Sequence, residues 1–498
     1  MRGLFGLIHE SFIKYPDRIF VQSRDRQWTY SQVYALALGI AGHIAACGVQ
    51  KGDRVCIFCE NSLQYIIALF GIMRINAVAV PVNPARIAEN ILYITEMCRP
   101  RLIITCSANA DKLSKVSDKL KTEIVNIDEI SLAGGYENMI GQDNEINADD
   151  LAMLLFTSGT TAYPKGVMLT HGNLLANTES IIEYLELNCD DSILMTLPFT
   201  YSYGNSILLT HAGTGASIII ENSTAYPYIV LELLKKLKVT GFSTVGSYIN
   251  LMLKYIRNST ENANYFETLR YITFAGESTN NDDILYIKKN YPDIRIFVMY
   301  GQTEAGARLS YLNPARLRDK LGSIGKGLGN VILKVVNESG CLVKPGETGE
   351  VTAFGPNIMK GYWDDPQATA EVLKDGWLYT GDYATVDEDG FIYIRGRKTD
   401  MIKHMGHRIS PVEIENVING FENVKESAVV EDTVDGVPVI KAYFVNEKEC
   451  TLEEIKRYVC SRLPAYMRPH VFEAIGQLPR TESGKLKRSD LRRVKCVE

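Results

Sequence analysis

Leu154-Leu155-Phe156-Thr157-Ser158-Gly159-Thr160-Thr161-Ala162-Tyr163-Pro164-Lys165-Gly166 starts as an apolar run and turns abruptly into small hydroxyl residues and glycine, with one lysine near the end. Such a loop suits a polyphosphate, because bare backbone N–H groups, hydroxyl donors and a cation can surround the charge together. It is not a Walker loop: Lys165 is followed by Gly166 instead of Ser or Thr, and the spacing differs. The plain alternative is a surface turn made of small residues.

Outward from this loop, the chain alternates between two periods. Ser31 to Ala46 has helical spacing behind a cap at Thr29 or Ser31, Asp53 to Phe58 reads as a strand, Ser62 to Ile75 as a helix and Ala77 to Val82 as a strand. Arg101 to Thr105 and Ile124 to Ile127 are short apolar strands. Beyond the loop come Ala216 to Ile220 (strand), Pro227 to Leu237 (helix), Gly241 to Val245 (strand) and Tyr248 to Ile256 (helix). Tyr271 to Phe274 (strand), Asp282 to Asn290 (helix) and Arg295 to Tyr300 (strand) follow. This alternation predicts an α/β fold of parallel sheets covered by helices. From Gly322 to Phe354 the chain is rich in Gly and Val with little helical period, which predicts a small antiparallel or barrel-like subdomain. Pro411 to Asn419 (helix), Lys425 to Glu431 and Ile440 to Asn446 (strands) and Leu452 to Ser461 (helix) predict a small α+β domain at the C-terminus.

Bulk properties exclude several classes. At 498 residues the chain exceeds one hydrophobic core, so at least two domains are expected. A net charge of -6 disfavours a broad nucleic-acid surface. With no paired framework among the ten cysteines beyond Cys56-Ile57-Phe58-Cys59, and with no secretory signal, they read as reduced thiols of a cytoplasmic protein. Met1 to Ile8 is broken at once by His9 and Glu10, too short for a signal-peptide core. The most apolar stretch, Tyr65 to Val82, carries Arg74 and Asn76, so no membrane span and no membrane partner are expected. The last residues, Lys495-Cys496-Val497-Glu498, carry neither a peroxisomal address nor a prenylation box.

Further signatures follow the loop in order. Tyr300-Gly301-Gln302-Thr303-Glu304 succeeds the strand at Arg295, and Tyr379-Thr380-Gly381-Asp382 precedes a turn bounded by Gly390. Gly396-Arg397-Lys398-Thr399-Asp400, then Lys403, Gly406, Arg408 and Glu413-Ile414-Glu415, come next, and Pro479-Arg480-Thr481-Glu482-Ser483-Gly484-Lys485 closes the series. Together these five segments, spread over nearly the whole chain, resemble the adenylate-forming superfamily of acyl-CoA synthetases, peptide-synthetase adenylation domains and luciferases.

The residues themselves suit such chemistry. Tyr300 offers a flat face on which adenine can stack. Thr303 can donate to a phosphate, and Glu304 is a hard oxygen ligand suited to Mg²⁺. Asp382 on a glycine-flanked turn can accept two ribose hydroxyls, and Arg397 can bind ribose or phosphate. Taken singly, Tyr300 reads as core filler, Glu304 as a solvated acid, Asp382 as a turn residue and Lys485 as part of a basic tail. The resemblance implies the functional roles: Thr157, Ser158, Gly159, Thr160, Thr161, Lys165, Tyr300, Gly301, Asp382 and Arg397 toward ATP, Glu304 toward Mg²⁺, and Lys485, Thr303 and Glu304 in catalysis. A mobile cation at Lys485 would stabilise charge developing on the carboxylate and α-phosphate.

The implied reaction joins a small carboxylic acid to AMP, releasing pyrophosphate, and then passes the acyl group to a thiol. The thiol belongs to coenzyme A or to the phosphopantetheine arm of a separate acyl carrier protein; the sequence leaves both open. No carrier or condensation domain is attached, so a free-standing ligase is expected. The resemblance places a large N-terminal domain at residues 1–397, a hinge at Lys398, Thr399 and Asp400, and a small rotating domain at residues 401–498. Many relatives carry Asp or Lys where this chain has Thr399.

Leu197-Pro198-Phe199-Thr200-Tyr201-Ser202-Tyr203-Gly204 aligns with the segment lining the acyl pocket in that family, and many ligases have His where Tyr201 stands. No Asp lies between Ser192 and Tyr226 to meet an α-ammonium group, which argues against an ordinary amino acid. Tyr201 and Tyr203 with Val245, Gly246, Ser247, Ala275, Gly276 and Ala305 predict a pocket for a small or flat acid. Arg308, just past the Thr303-Glu304 motif, either pairs locally or meets a second carboxylate. The rival readings are a luciferase-like adenylating oxygenase and a non-catalytic nucleotide-binding protein of the same fold. The presence of Lys165, Glu304, Asp382, Arg397 and Lys485 together opposes the second.

Overall fold

The alternating pattern folds as an α/β protein. The structure, a computed structural model, describes residues 4–24, 26–130, 146–157, 164–259, 264–404, 407–434, 437–448, 450–480 and 486–491. They pack as two units, Met1–Leu333 with Ala353–Leu378, and Lys334–Thr352 with Tyr379–Glu498.

The first unit contains two sheets. In one, the strands Arg295–Tyr300, Tyr271–Phe274, Gly241–Thr244, Ser192–Met195, Ser217–Ile220 and Ile19–Ser23 run parallel in that spatial order. Parallel neighbours need crossover connections, which helices such as Pro227–Leu237 and Gly246–Asn258 supply. In the other sheet, Val78–Pro81, Arg54–Phe58, Leu102–Thr105 and Glu123–Asn126 are parallel. Leu151–Thr157 joins beside Val78–Pro81 and turns back antiparallel as Lys165–Thr170. Gly361–Tyr362 adds a last antiparallel strand to Lys165–Thr170.

One apolar core joins the two sheets through the helices Tyr30–Ala46 and Leu63–Arg74. The first of these starts at a capping box, in which Thr29 Oγ1 accepts from Gln32 N–H and Gln32 Oε1 accepts from Thr29 N–H. Phe70 at the centre packs against Phe12 and Phe20 with ring centroids 5.8 and 6.2 Å apart. Truncating such a side chain to Ala costs about 3–5 kcal/mol.

A buried polar knot fixes both ends of the Leu151–Thr170 hairpin. Asn76, in a left-handed turn at φ 55°, donates from its side-chain Nδ2 to Asp150 Oδ2 at 2.9 Å, and its side-chain Oδ1 faces His171 Nε2 at 3.1 Å. Lys51 Nζ reaches the same Asp150 oxygen at 2.8 Å and Asn147 N–H donates to it at 2.9 Å. Burial raises the Asp150 pKa, but Lys51, Asn76 and Asn147 outweigh it and hold the group at about 2.

The second unit holds the sheet formed by Thr348–Phe354, Trp377–Val386 and Ile392–Arg397. The sheet expected from Gly322 onward begins later than that, because Lys326–Gly327 instead pairs with Ser310–Leu312 at the edge of the first unit. The C-terminal segment is α+β as expected. Val424–Val434 pairs antiparallel with Val437–Asn446, Val471–Ala474 lies parallel to the latter, and Pro411–Asn419 and Leu452–Cys460 contribute Ile414, Ile418 and Ile455 to the shared core.

Two buried histidines of the first unit make its stability depend on pH. His211 Nδ1 faces the Ile207 carbonyl at 2.9 Å, so this nitrogen carries the proton and Nε2 accepts from the Tyr271 hydroxyl at 3.2 Å. Burial pushes both His171 and His211 down to about 4 from the ordinary 6.5. Their folded values lie below the unfolded value, so the unfolded chain binds more protons between pH 6.5 and 4. Stability is therefore full above pH 6.5 and falls as the pH drops through that window, by about 3 kcal/mol per histidine. Denaturant titrations at stepped pH should show His171→Asn reducing this slope by one proton; an unchanged slope would rule out a neutral buried His171.

Candidate active site

Parallel strands all end on one edge, and in open α/β sheets that C-terminal edge is where ligands bind. Four adjacent strands of the first unit end this way. Ser192–Met195 leads to Tyr201 and Tyr203, Gly241–Thr244 to Val245 and Gly246, Tyr271–Phe274 to Ala275 and Gly276, and Arg295–Tyr300 to Gly301, Thr303, Glu304 and Ala305. The predicted substrate-pocket residues and the Thr303-Glu304 motif thus share one rim.

Contacts draw the rim together. Ser202 Oγ and Thr303 Oγ1 are 3.3 Å apart, and the Tyr203 hydroxyl meets Thr273 Oγ1 at 2.8 Å. Burial pushes Tyr203 up to about 12, so it stays a neutral phenol. Asn83 Nδ2 donates to the Tyr201 hydroxyl at 3.3 Å. Val245 stands 3.7 Å from where a side chain on Gly276 would begin. Gly301 is required: a Cβ there would lie 1.9 Å from the Ala307 carbonyl oxygen, across the 3-10 turn Thr303–Ala305. Past that turn Gly306 and Ala307 both take positive φ, 66° and 132°. A non-glycine residue at such an angle is strained, and strain of this kind gathers at functional turns.

The two flanks of the 154–166 segment are Thr157 and Lys165, directly paired in register across the hairpin. Ser158, Gly159, Thr160 and Thr161 lie outside the described residues, as does Lys485. Lys165 Nζ sits 5.0 Å from the centroid of the Tyr362 ring, and the Tyr362 hydroxyl donates to Glu304 Oε1 at 2.9 Å. Tyr362 therefore ties the end of the loop to the acidic residue of the next motif. Backbone bonds reinforce the tie: Met359 N–H donates to the Glu304 carbonyl, Lys360 N–H to the Met168 carbonyl and Trp363 N–H to the Gly166 carbonyl. Tyr362 escaped the sequence reading, since it lies outside every quoted motif, and only its place directly after Gly361 hints at a turn into a strand.

Glu304 is half-buried, and one of its carboxylate oxygens takes the Tyr362 bond. Among the described residues, no cluster of three or more His, Cys, Asp or Glu side chains is arranged to hold a metal ion. A single carboxylate fits Mg²⁺, which binds through one or two carboxylates plus phosphate oxygens and water, and does not fit a metal that needs a protein cage.

Asp382 and Arg397 belong to the second unit and face each other in register on adjacent antiparallel strands. Arg397 Nε lies 2.9 Å from Asp382 Oδ1, and its Nη1 donates to the Thr380 carbonyl at 3.1 Å. Asp382 is buried, while Arg397 remains nearly half exposed. Lys398 Nζ pairs with Glu350 Oε2 at 2.9 Å, a bond that raises the lysine pKa above its usual value. Lys398, Thr399 and Asp400 form a turn after Ile392–Arg397, and Asp400 faces Arg488 at 3.5 Å.

A sheet edge with a phosphate-suited loop, a magnesium-suited carboxylate and a lined pocket defines an enzyme that holds a nucleotide beside a second, small substrate. The comparisons agree. Residues 8–363 match the family described as AMP-binding enzyme, and residues 413–485 match its C-terminal domain. 4-Coumarate–CoA ligase 3 of Arabidopsis thaliana is 30% identical over 501 residues, covering 96% of this chain and 88% of its own. 2-Succinylbenzoate–CoA ligase of Geobacillus sp. is 29% identical over 494 residues, covering 98% and 96%. The solved o-succinylbenzoate CoA synthetase of Bacillus subtilis, in complex with its acyl-adenylate intermediate, aligns with a TM-score of 0.87 at 26% identity over 98% of both chains. The same enzyme in complex with ATP and magnesium ion gives a TM-score of 0.86 at 27% identity, covering 97% of this chain and 98% of its own. The chain belongs to the AMP-binding enzyme family and is an AMP-forming acid–thiol ligase. It uses ATP and Mg²⁺ to convert a carboxylic acid to its acyl-adenylate, then passes the acyl group to a thiol.

The Tyr362 tie gives a direct test. Tyr362→Phe removes one hydrogen bond to a charged group, worth about 1.5–3 kcal/mol. ATP–pyrophosphate exchange should fall by about 10-fold or more and need more Mg²⁺ for half-maximal rate, while the melting temperature stays within a few degrees. An unchanged Mg²⁺ dependence would separate Tyr362 from the metal-binding carboxylate.

Proposed function

We propose that this enzyme is an acid–coenzyme A ligase for a small carboxylic acid, with the adenylation centre at the rim of Glu304, Thr303 and Lys165. The observation that carries the reading is the Lys165–Tyr362–Glu304 chain, which supports a cation and a magnesium ligand acting on the same phosphates. Glu304 would hold Mg²⁺, and the bound ion would supply positive charge against the departing pyrophosphate. Lys165 and the hydroxyl and N–H groups of residues 157–161 orient the β- and γ-phosphates, and Thr303 donates to the α-phosphate. Tyr300 stacks on adenine, Gly301 lets the base approach the backbone, and Asp382 and Arg397 take the ribose.

In the first half-reaction an oxygen of the substrate carboxylate attacks the α-phosphorus, and the bond from that phosphorus to the pyrophosphate oxygen breaks in line. Lys485 stabilises the charge on the entering and equatorial oxygens, an interaction strongest in the transition state. In the second half-reaction a thiolate attacks the acyl carbon and AMP leaves with the bonding pair. A thiol of pKa near 8.5 is already a few per cent ionised at neutral pH, so no strong base is needed. Residues 398–400 act as the pivot between a domain of residues 1–397 and one of residues 401–498; the three-residue turn there supports this.

Coenzyme A is favoured as acceptor over a carrier-protein arm because the curated relatives above are CoA ligases by name. The acid lies against Tyr201, Tyr203, Val245, Gly246, Ala275, Gly276 and Ala305. The nine described cysteines are all free, which fits a cytoplasmic enzyme, and no described helix is long and apolar enough to cross a membrane.

The deciding experiment is ATP–pyrophosphate exchange over a panel of short, aromatic and amino acids without thiol, followed by thioester formation with coenzyme A or a phosphopantetheinylated carrier. Exchange with one acid and thioester only with coenzyme A is the expected result; thioester only on the carrier would overturn the acceptor assignment. Lys485→Ala should cut exchange by at least about 100-fold, as loss of a transition-state charge contact does, with ATP binding retained. Exchange that survives in that variant would remove Lys485 from the adenylation step.

A further inference from the structure

The segment 197–203 carries Tyr201 and Tyr203 to the rim, yet an ordinary strand ladder cannot hold it, because Pro198 has no N–H to donate. Asn61 holds it instead. This residue lies in the turn between the strand Arg54–Phe58 and the helix Leu63–Arg74, at the edge of the other sheet. Its Nδ2 donates to the Leu197 carbonyl at 2.8 Å, and its Oδ1 accepts from Phe199 N–H at 2.7 Å. One side-chain amide thus pairs with the backbone on both sides of the proline, as a neighbouring strand would.

Asn61 is itself fixed. It is only 8% exposed, and its own carbonyl accepts from Asn222 Nδ2 at 3.0 Å. The N–H of the preceding Glu60 donates to Asn109 Oδ1 at 3.2 Å. Four residues on, the Tyr65 hydroxyl donates to the Phe199 carbonyl at 3.1 Å, with the two ring centroids 5.3 Å apart. Phe199 is fully buried by these contacts and its other neighbours.

What is fixed at residues 197–199 reaches the pocket wall by direct contact. Tyr201 N–H donates to the Pro198 carbonyl at 3.2 Å. Asn205 N–H, in the first turn of the helix Ser202–Thr214, donates to the Tyr201 carbonyl at 2.9 Å. Gly204 packs so close that a Cβ there would lie 2.1 Å from the Pro198 carbonyl oxygen. A shift of Pro198 therefore moves the start of that helix. With it go Ser202, which meets Thr303, and Tyr203, which is bonded to Thr273. Close-packed interiors pass such a shift on instead of absorbing it.

We propose that Asn61 is a positioning residue for the carboxylic-acid pocket, its amide setting the wall that bears Tyr201 and Tyr203 and so the affinity for the acid. The proposal rests on the assignment of those two tyrosines to the acid. Asn61 acts through the backbone of residues 197–201. Asn61→Ala leaves the Leu197 carbonyl and the Phe199 N–H without their partner. Asn61→Asp keeps the acceptor for Phe199 but sets a carboxylate oxygen against the Leu197 carbonyl.

Two measurements on the full chain test this. Amide hydrogen exchange, read by mass spectrometry with no acid present, should speed up by about 10-fold or more at residues 197–203 in Asn61→Ala. Unchanged protection there would overturn the proposal whatever acid the enzyme takes. ATP–pyrophosphate exchange with butyrate, benzoate and cinnamate tests the consequence. For each acid that is activated, both Asn61 variants should raise the KM for the acid by about 10-fold or more, with the KM for ATP near that of the wild-type enzyme. Tyr201→Leu, which alters the wall directly, separates two failures. An acid KM moved by Tyr201→Leu but by neither Asn61 variant would overturn the proposal and leave the pocket assignment standing. An acid KM moved by none of the three would overturn the pocket assignment, and the proposal with it. Equal losses toward ATP and acid in the Asn61 variants would reduce Asn61 to a support of the fold and overturn the proposal as well.

Discussion

The hydrogen bond from Tyr362 to Glu304 joins parts of the chain that local sequence keeps far apart. Lys165 ends a loop from one sheet, Glu304 begins a turn from the other, and Tyr362 sits on an added edge strand and touches both. Without that strand the cation and the carboxylate would be held only by their own turns. With it, a charge pair suited to polyphosphate is positioned by backbone ladders on both sides, at Met168 and at the carbonyl of Glu304. Precision of this kind matters because the chemistry is mostly placement and neutralisation of charge.

The polar knot at Asn76 serves the same end from the far side of the hairpin. It fixes Asp150 before the strand Leu151–Thr157 and His171 after Lys165–Thr170, so neither strand slides relative to the parallel sheet. A one-residue slip would reverse which side chains face the core.

Much of this was legible in the sequence because the deciding signals are local. The strands Tyr271–Phe274 and Arg295–Tyr300 and the helices Pro227–Leu237 and Pro411–Asn419 fall at the predicted bounds, being short apolar runs or amphipathic stretches framed by Gly, Pro or caps. Several helices were not anticipated, among them Leu4–Lys14, Ala88–Cys98, Ser107–Ser117, His171–Leu185 and Ser202–Thr214. Leu4–Lys14 looked only like a failed signal core, and Ser202–Thr214 is almost wholly buried, so it has no polar face to reveal a period. The motifs singled out candidate site residues such as Lys165 and Glu304, but not Tyr362, which touches both, nor Asn177 and Asn357, which both donate to the Arg308 carbonyl. Their roles exist only once strands from distant parts of the chain lie side by side. Arg308 was visible as a charge, but whether a carboxylate neighbours it is a property of the packed core.

The edge strand Gly361–Tyr362 also orders events during synthesis. It returns to Val167 and Met168 after about 190 residues of intervening chain, a separation that makes its pairing slow to form and late in time. A ribosome must complete both sheets before the outer neighbour of the Lys165 strand even exists. Until then that strand has an open edge, the kind of surface on which nascent chains pair wrongly with one another. The residue that finishes the catalytic rim is thus the same one that seals the nascent protein against self-association.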